Sequence, residues 1–344
     1  IGMNYSEEIL NSHRNEQDAA ADKVVNTYFT KDKQLLQGHL AALTRNDSKL
    51  PVDADQSLID LLGAIQLSAG QIDLTELNNG QAFFSKYASD VMLLLGFMSL
   101  PYCYAAKYGA EVLVRSKRIL ENPAKRLMDT AEFVFDVTHP DAFKPNGKAL
   151  ISIIKVRLLH ATTRWYINQD KTWDTETFGK PVNQEDMAGT NLSFSLITVR
   201  GLRKLGKPVL PIEAFHYINY WNKIGGLLGV VPELLPENNR EASVLERNIR
   251  KRQFATSDAG NKLTMSLLKY YEVATVDTPI EGMSKSFMNY LIGDSISSLI
   301  GLKIEDYDRI VFKPFRLFIS FQGYFFNAQD SYAKAYARFK EAKH

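Results

Sequence analysis

The chain has 344 residues, 45% of them hydrophobic, enough for one large core or two ordinary ones. A formal net charge of +2 gives no global field that would draw it to nucleic acid or to a membrane. Cys103 is the one cysteine, which excludes internal disulfides and thiolate metal clusters and predicts a reducing, cytoplasmic setting.

Helical periodicity runs along the chain, and alternating strand patterns are scarce. The start, Ile1-Gly-Met-Asn-Tyr-Ser-Glu-Glu8, has no basic stretch followed by an apolar one, so no secretion signal is expected there. Residues 1–50 are comparatively polar and predict a helical arm packed on the core, with helix over 16–45; some of the helical segments along the chain are expected to be split. Residues 51–344 predict a single large all-α domain, with helices over 55–67, 82–98 and 102–121. The longest uncharged stretch, 91–106, is broken by Gly96, Ser99 and Pro101. A spanning helix needs about 20 apolar residues, so this stretch predicts core and no stable membrane insertion.

Pro123 suits the first turn of a helix over 123–138. Arg126 and Thr130, four apart, share a face there with Asp129 and Phe133. The plain reading makes Arg126 a surface residue and has Thr130 bond its own backbone. Next, 147–168 has helical length and no internal Gly or Pro apart from its first residue. Seven aliphatic side chains between Leu150 and Leu159 cover most of its circumference, so the helix is expected to be buried. At about 100° per residue, Arg157, His160 and Arg164 lie within roughly 60° of one another. Two buried guanidinium groups cost several kcal/mol each, in order of magnitude, unless an anion meets them.

Three occupants satisfy that stripe. Haem would use the imidazole as an axial iron ligand and the cations for its propionates. A phosphate-bearing ligand would use the arginines alone. Protein carboxylates such as Glu132, Asp136 or Asp186 would also serve. Spacing does not choose between them.

Further along, Asn183 before Gln184-Glu185-Asp186 predicts a capped helix over 184–205. The segment 209–228 carries His216 and leads into Gly225-Gly-Leu-Leu-Gly229, glycines that permit close helix packing. In 239–256, Arg247, Arg250, Lys251 and Arg252 are interleaved with Glu241 and Glu246, which predicts a solvated face. Helices over 258–272, 283–300 and 307–340 close the chain, and Tyr332, Tyr336 and Phe339 form a docking stripe on the last. No nucleophile elbow, Walker loop, dinucleotide fingerprint or zinc-spaced histidine pair occurs.

Several blocks together resemble one family. Arg157-Leu-Leu-His160-Ala-Thr-Thr-Arg164 is similar to the Arg-x-x-His-Ala-x-x-Arg signature of the latex clearing protein and MpaB-type oxygenases. Arg126-x-x-x-Thr130 stands at the matching distance upstream. Downstream, Pro181 to Asp186, Gly201 to Gly206, and Trp221 to Gly229 leading to Pro236 look like the family's next blocks, so the match spans roughly 90–260. The resemblance implies an all-α fold with a globin-like core that binds haem b. By the motif His160 is the proximal iron ligand, and Arg157, Arg164 and Arg126 surround the haem. Arg126 and Thr130 would act on the distal side.

Glu111 falls near the family's distal base. Rubber-cleaving members carry a lysine just before the matching threonine, where this chain has Asp129, so rubber is not the expected substrate. The resemblance thus implies an oxygenase acting with dioxygen on an apolar substrate, unsaturated ones included, and served by an electron donor. A haem-binding sensor or carrier without turnover is the alternative on the same fold.

Overall fold

Short polar side chains divide the N-terminal stretch into three helices, α1 (Glu7–His13), before the expected 16–45 segment, and α2 (Ala19–Lys31) and α3 (Lys33–Ala42), which split it at Asp32. Each begins at a cap, with Ser6 accepting from the amide of Ile9, Asp18 from Ala21 and Asp32 from Gln34. Such side chains offer the backbone a partner that competes with helix continuation. The structure, a computed structural model, describes residues 5–116, 118–277, 281–306, 308, 310 and 331–343.

After α4 (Gln56–Gly70), α5 (Leu74–Leu94) passes through a π turn at Leu95–Ser99 into α6 (Leu100–Tyr104). Gly96 and Pro101, read from the sequence as interruptions, therefore lie within one helical run. Proline lacks an N–H and clashes with the carbonyl one turn back. Pro101 is tolerated because it enters at the first turn of α6, directly after the wider π turn. By length and composition Leu74–Tyr104 could cross a membrane, yet 56% of its most apolar window is buried inside the fold.

Then come α7 (Lys107–Arg115), α8 (Arg118–Glu121), α9 (Pro123–Thr138), α10 (Ala149–Ile167) and the single turn α11 (Thr175–Phe178). The stretch expected to be helical over 184–205 is α12 (Gln184–Phe194) and α13 (Leu196–Lys204), parted at Ser195, whose φ of −108° and ψ of −84° are not helical. They lead to α14 (Pro211–Leu227), α15 (Asn239–Gln253) and α16 (Asp258–Ala274). Gly293, at φ 85°, divides the expected 283–300 helix into α17 (Ser284–Ile292) and α18 (Asp294–Leu299). Of the helix expected over 307–340, residues 311–330 lie outside the described residues, and α19 (Ser331–Lys343) is its described end.

Among the described residues there is no β-strand, only an isolated bridge between Ala106 and Phe254, so the fold is all-α. The main core gathers Phe84, Val91 and Leu94 of α5, Ile153 and Ile154 of α10, and Tyr220 and Ile224 of α14. α5 and α14 cross at Gly80, where an added Cβ would sit 2.3 Å from the Tyr220 ring. Tyr332, Tyr336 and Phe339 dock α19 around Phe135, with ring centroids 5.2–5.9 Å away. The arm is built into this body, since α2 lies along α10.

Candidate functional site

α10 presents two adjacent faces with different partners. Val156, Leu159, His160 and Thr163, at i, i+3, i+4 and i+7, line a cavity of about 290 Å³. Val112 and Leu113 of α7, Phe133 of α9, Met187 of α12 and Ile249 of α15 make it largely apolar. Arg126 and Thr130 of α9 add a polar patch. The Arg126 Nη1 donates to the Thr130 hydroxyl at 2.7 Å, and that hydroxyl donates to the Arg126 carbonyl at 2.9 Å. His160 is the one histidine among the lining residues, and His216 is not among them.

Arg157 and Arg164 do not line this cavity. Arg157 donates to both carboxylate oxygens of Asp18, from Nε at 2.6 Å and Nη2 at 3.0 Å, and to the Leu227 carbonyl at 3.1 Å. Arg164, only 2% exposed, donates from Nε to Asp22 at 2.6 Å and from Nη1 to the Val182 carbonyl at 3.5 Å. Burial lifts the Asp22 carboxyl above its usual range against the pull of Arg164. The anions that the stripe demanded thus come from the N-terminal arm. The carboxylates expected from the sequence have other partners: Glu132 takes Lys343, Asp136 takes Ser152 and Asp186 takes Arg14. Glu111 lies outside the lining set, with its Oε2 3.9 Å from the Arg115 Nε.

The Asn183-Gln-Glu-Asp block ties the arm down residue by residue. Asn183 caps α12 by accepting from the amide of Asp186 at 2.9 Å. Gln184 donates to the carbonyls of Gln17 at 3.1 Å and Gly229 at 2.9 Å. Glu185, fully buried, accepts from Arg14 at 3.3 Å, Arg252 at 2.9 Å and Gln253 at 3.1 Å. Burial nevertheless raises its carboxyl above the usual range. Asp186 takes Arg14 at 2.9 Å, and Arg14 also donates to the Phe178 carbonyl.

Sequence reasoning missed a second polar cluster in the cavity wall. Glu246, 3% exposed, accepts from the Tyr102 hydroxyl, from Arg200 at 2.8 Å and from Arg250 at 2.9 Å. Burial works to raise its carboxyl, but the Tyr102 hydrogen bond and the Arg200 and Arg250 charges hold it below the usual value. The basic run is a solvated face at Arg247, Arg250 and Lys251, all exposed although Arg250 pairs with Glu246, while Arg252 alone turns inward to Glu185. Cys103 also lines the cavity, donating to Ser193 at 3.2 Å, and burial pushes its thiol up to about 11. It stays protonated at neutral pH. Val182 lines the cavity at φ 50°, a strained backbone for a β-branched residue.

Fold and site define an all-helical protein with a largely apolar cavity whose wall carries one imidazole, the Arg126–Thr130 pair and the Glu246 cluster. The chain belongs to the family described as ER-bound oxygenase mpaB/B'/Rubber oxygenase, catalytic domain, which matches residues 86–321. It is 25% identical over 283 residues to a rubber oxygenase of Streptomyces sp. (strain K30), covering 81% of this chain and 69% of the relative. Its fold matches that of a latex clearing protein in the closed state with a TM-score of 0.75 and 22% identity, covering 94% of this chain and 90% of the other.

Proposed function

We propose that the cavity holds haem b with His160 as the axial iron ligand, and that the protein is an oxygenase acting with dioxygen on an apolar, small-molecule substrate. The carrying observation is the donor set: one imidazole lines a largely apolar space. A bare ion needs three or more protein ligands, and among the described residues no cluster of three His, Cys, Asp or Glu side chains could supply them. A single imidazole suits a metal that brings its own in-plane donors, so the residues fit the group. Haem would supply an iron that can bind and activate dioxygen. Family membership supports the same class of chemistry.

The chain's own residues would then divide the work. His160 would hold the iron through its imidazole. The Arg126 guanidinium, held against Thr130, brings positive charge to the cavity wall. It is the one of the three motif arginines that lines the cavity; Arg157 and Arg164 lie outside the lining and pair with Asp18 and Asp22. Val112, Leu113, Phe133 and Ile249 exclude water and favour an apolar substrate, alkenes included. Cys103 offers no thiolate that would compete with the imidazole. Asp129, beside Thr130 in the wall, places a carboxylate paired with Lys125 at 3.1 Å where a lysine would suit rubber cleavage. That departure supports a substrate other than rubber.

Protein loaded with haemin is expected to show a Soret band that His160→Ala removes. No band in the parent, or an unchanged band in the variant, sinks the assignment. Oxygen uptake with a reductant and candidate alkenes then separates an oxygenase from a carrier or sensor, which binds oxygen without turnover.

A further inference from the structure

α10 is apolar around most of its circumference, with Leu150, Ile151, Ile153, Ile154 and Leu158 all buried. Packing alone gives such a helix little preference for one rotation about its axis, because hydrophobic contact is non-directional. Directional contacts must set it. The strongest are the two ion pairs with α2, Asp18 on Arg157 and Asp22 on Arg164, at 2.6 Å each. They stand about one turn before and one turn after His160. Arg164 also reaches the carbonyl of Val182, which lines the cavity, and Arg157 that of Leu227, next to the lining Leu228. Gln184 clamps the same junction by bonding the carbonyls of Gln17 and Gly229.

We infer that Asp18 and Asp22 are positioning residues for the His160 imidazole. The N-terminal segment fixes the rotation of α10, and with it the direction in which the imidazole meets the iron. Sites of this kind tolerate about 10–20° of misorientation before they lose their geometry. A ligand within roughly 60° of the arginines around the helix is sensitive to a rotation of that size. The inference rests on the haem reading above.

The test uses the full chain with Asp18→Asn, Asp22→Asn, their double variant, and Asp22→Glu as the conservative control. Asn keeps the shape and removes the charge that holds each arginine. With helical content unchanged by circular dichroism, the double variant is expected to retain haemin roughly 10–100-fold less tightly, the scale of an outer partner of a metal ligand. Its midpoint potential and ferrous Soret maximum should shift as well, and Asp22→Glu should restore both towards the parent. If the double variant does not fold, the single variants carry the same readout, since each leaves one pair in place. Folded variants with the parent's potential and spectrum overturn the inference while the haem reading stands. A parent without a Soret band overturns the haem reading and this inference with it.

Discussion

Arg157 and Asp18, 139 residues apart, close a two-pronged pair in the space left by the missing side chain of Gly229. A Cβ at 229 would lie 2.5 Å from the Asp18 Oδ2 and 2.9 Å from the Arg157 Nε, and the backbone there has φ 95°. Gly229→Ala therefore strains the backbone and pushes the pair apart. A loss of about 1–3 kcal/mol is expected, read as a lower urea midpoint at unchanged m-value. An unchanged midpoint would show that the pair relaxes at no cost.

Glu185 and Arg14 make the arm's most buried junction, at 0% and 6% side-chain exposure. Glu185→Ala leaves Arg14 and Arg252 without their shared carboxylate. Removing one partner of a buried pair costs roughly 3–5 kcal/mol, so this variant is expected among the most damaging single changes outside the apolar core. Denaturant unfolding measures it, and a loss well under 1 kcal/mol would mean that water replaces the carboxylate.

Local signals were legible in the sequence and long-range ones were not. Pro123 and Asn183 marked helix starts because a first turn is a contact over three residues, and both stand where expected. The stripe on α10 was half legible. Its spacing put Arg157, His160 and Arg164 on one side, but the seam between two partners runs through that side. The arginines go to Asp18 and Asp22, while His160 joins Val156, Leu159 and Thr163 at the cavity. Nothing in α2 or its cap announces that Asp18 and Asp22 meet a helix 139 and 142 residues away. Glu246 was findable, because it shares the inward stripe of Ala242, Leu245 and Ile249. The surrounding arginines masked that period. Pro101 misled because a π turn, which leaves little composition signature, lets the helix run on.

Acid should act on Glu246 in a defined direction. Its carboxyl lies below the ordinary value of 4.5 in the folded chain. A carboxyl depressed on folding adds stability above its unfolded value, and that stability is lost as pH falls through the folded one. Glu246→Gln is thus expected to be less stable than the parent at about pH 7, with the gap closing below about pH 4. Urea unfolding of both proteins across that range decides. A gap that stays constant would mean the Tyr102, Arg200 and Arg250 contacts do not depend on the charge.

On the proposed oxygenase reading, variants of the Arg126–Thr130 pair should separate binding from turnover. Thr130 accepts from the guanidinium at 2.7 Å and spends its own proton on the Arg126 carbonyl at 2.9 Å, so it acts as a fixed acceptor that orients the cation. Thr130→Val keeps the volume and removes that acceptor. His160 and the apolar walls are untouched, so haemin should be retained with an unchanged Soret band. Oxygen uptake on an apolar alkene should fall on the order of 10-fold, because the cation remains but is no longer aimed. Arg126→Ala removes the cation and should cost more, on the order of 100- to 1,000-fold, as when a preorganised donor to developing charge is deleted. Thr130→Ser, which keeps the hydroxyl, should recover most of the parent rate. If Thr130→Val instead loses haemin and rate together, the pair holds the cofactor rather than directing the reaction. Its place would then be with His160 as a binding residue.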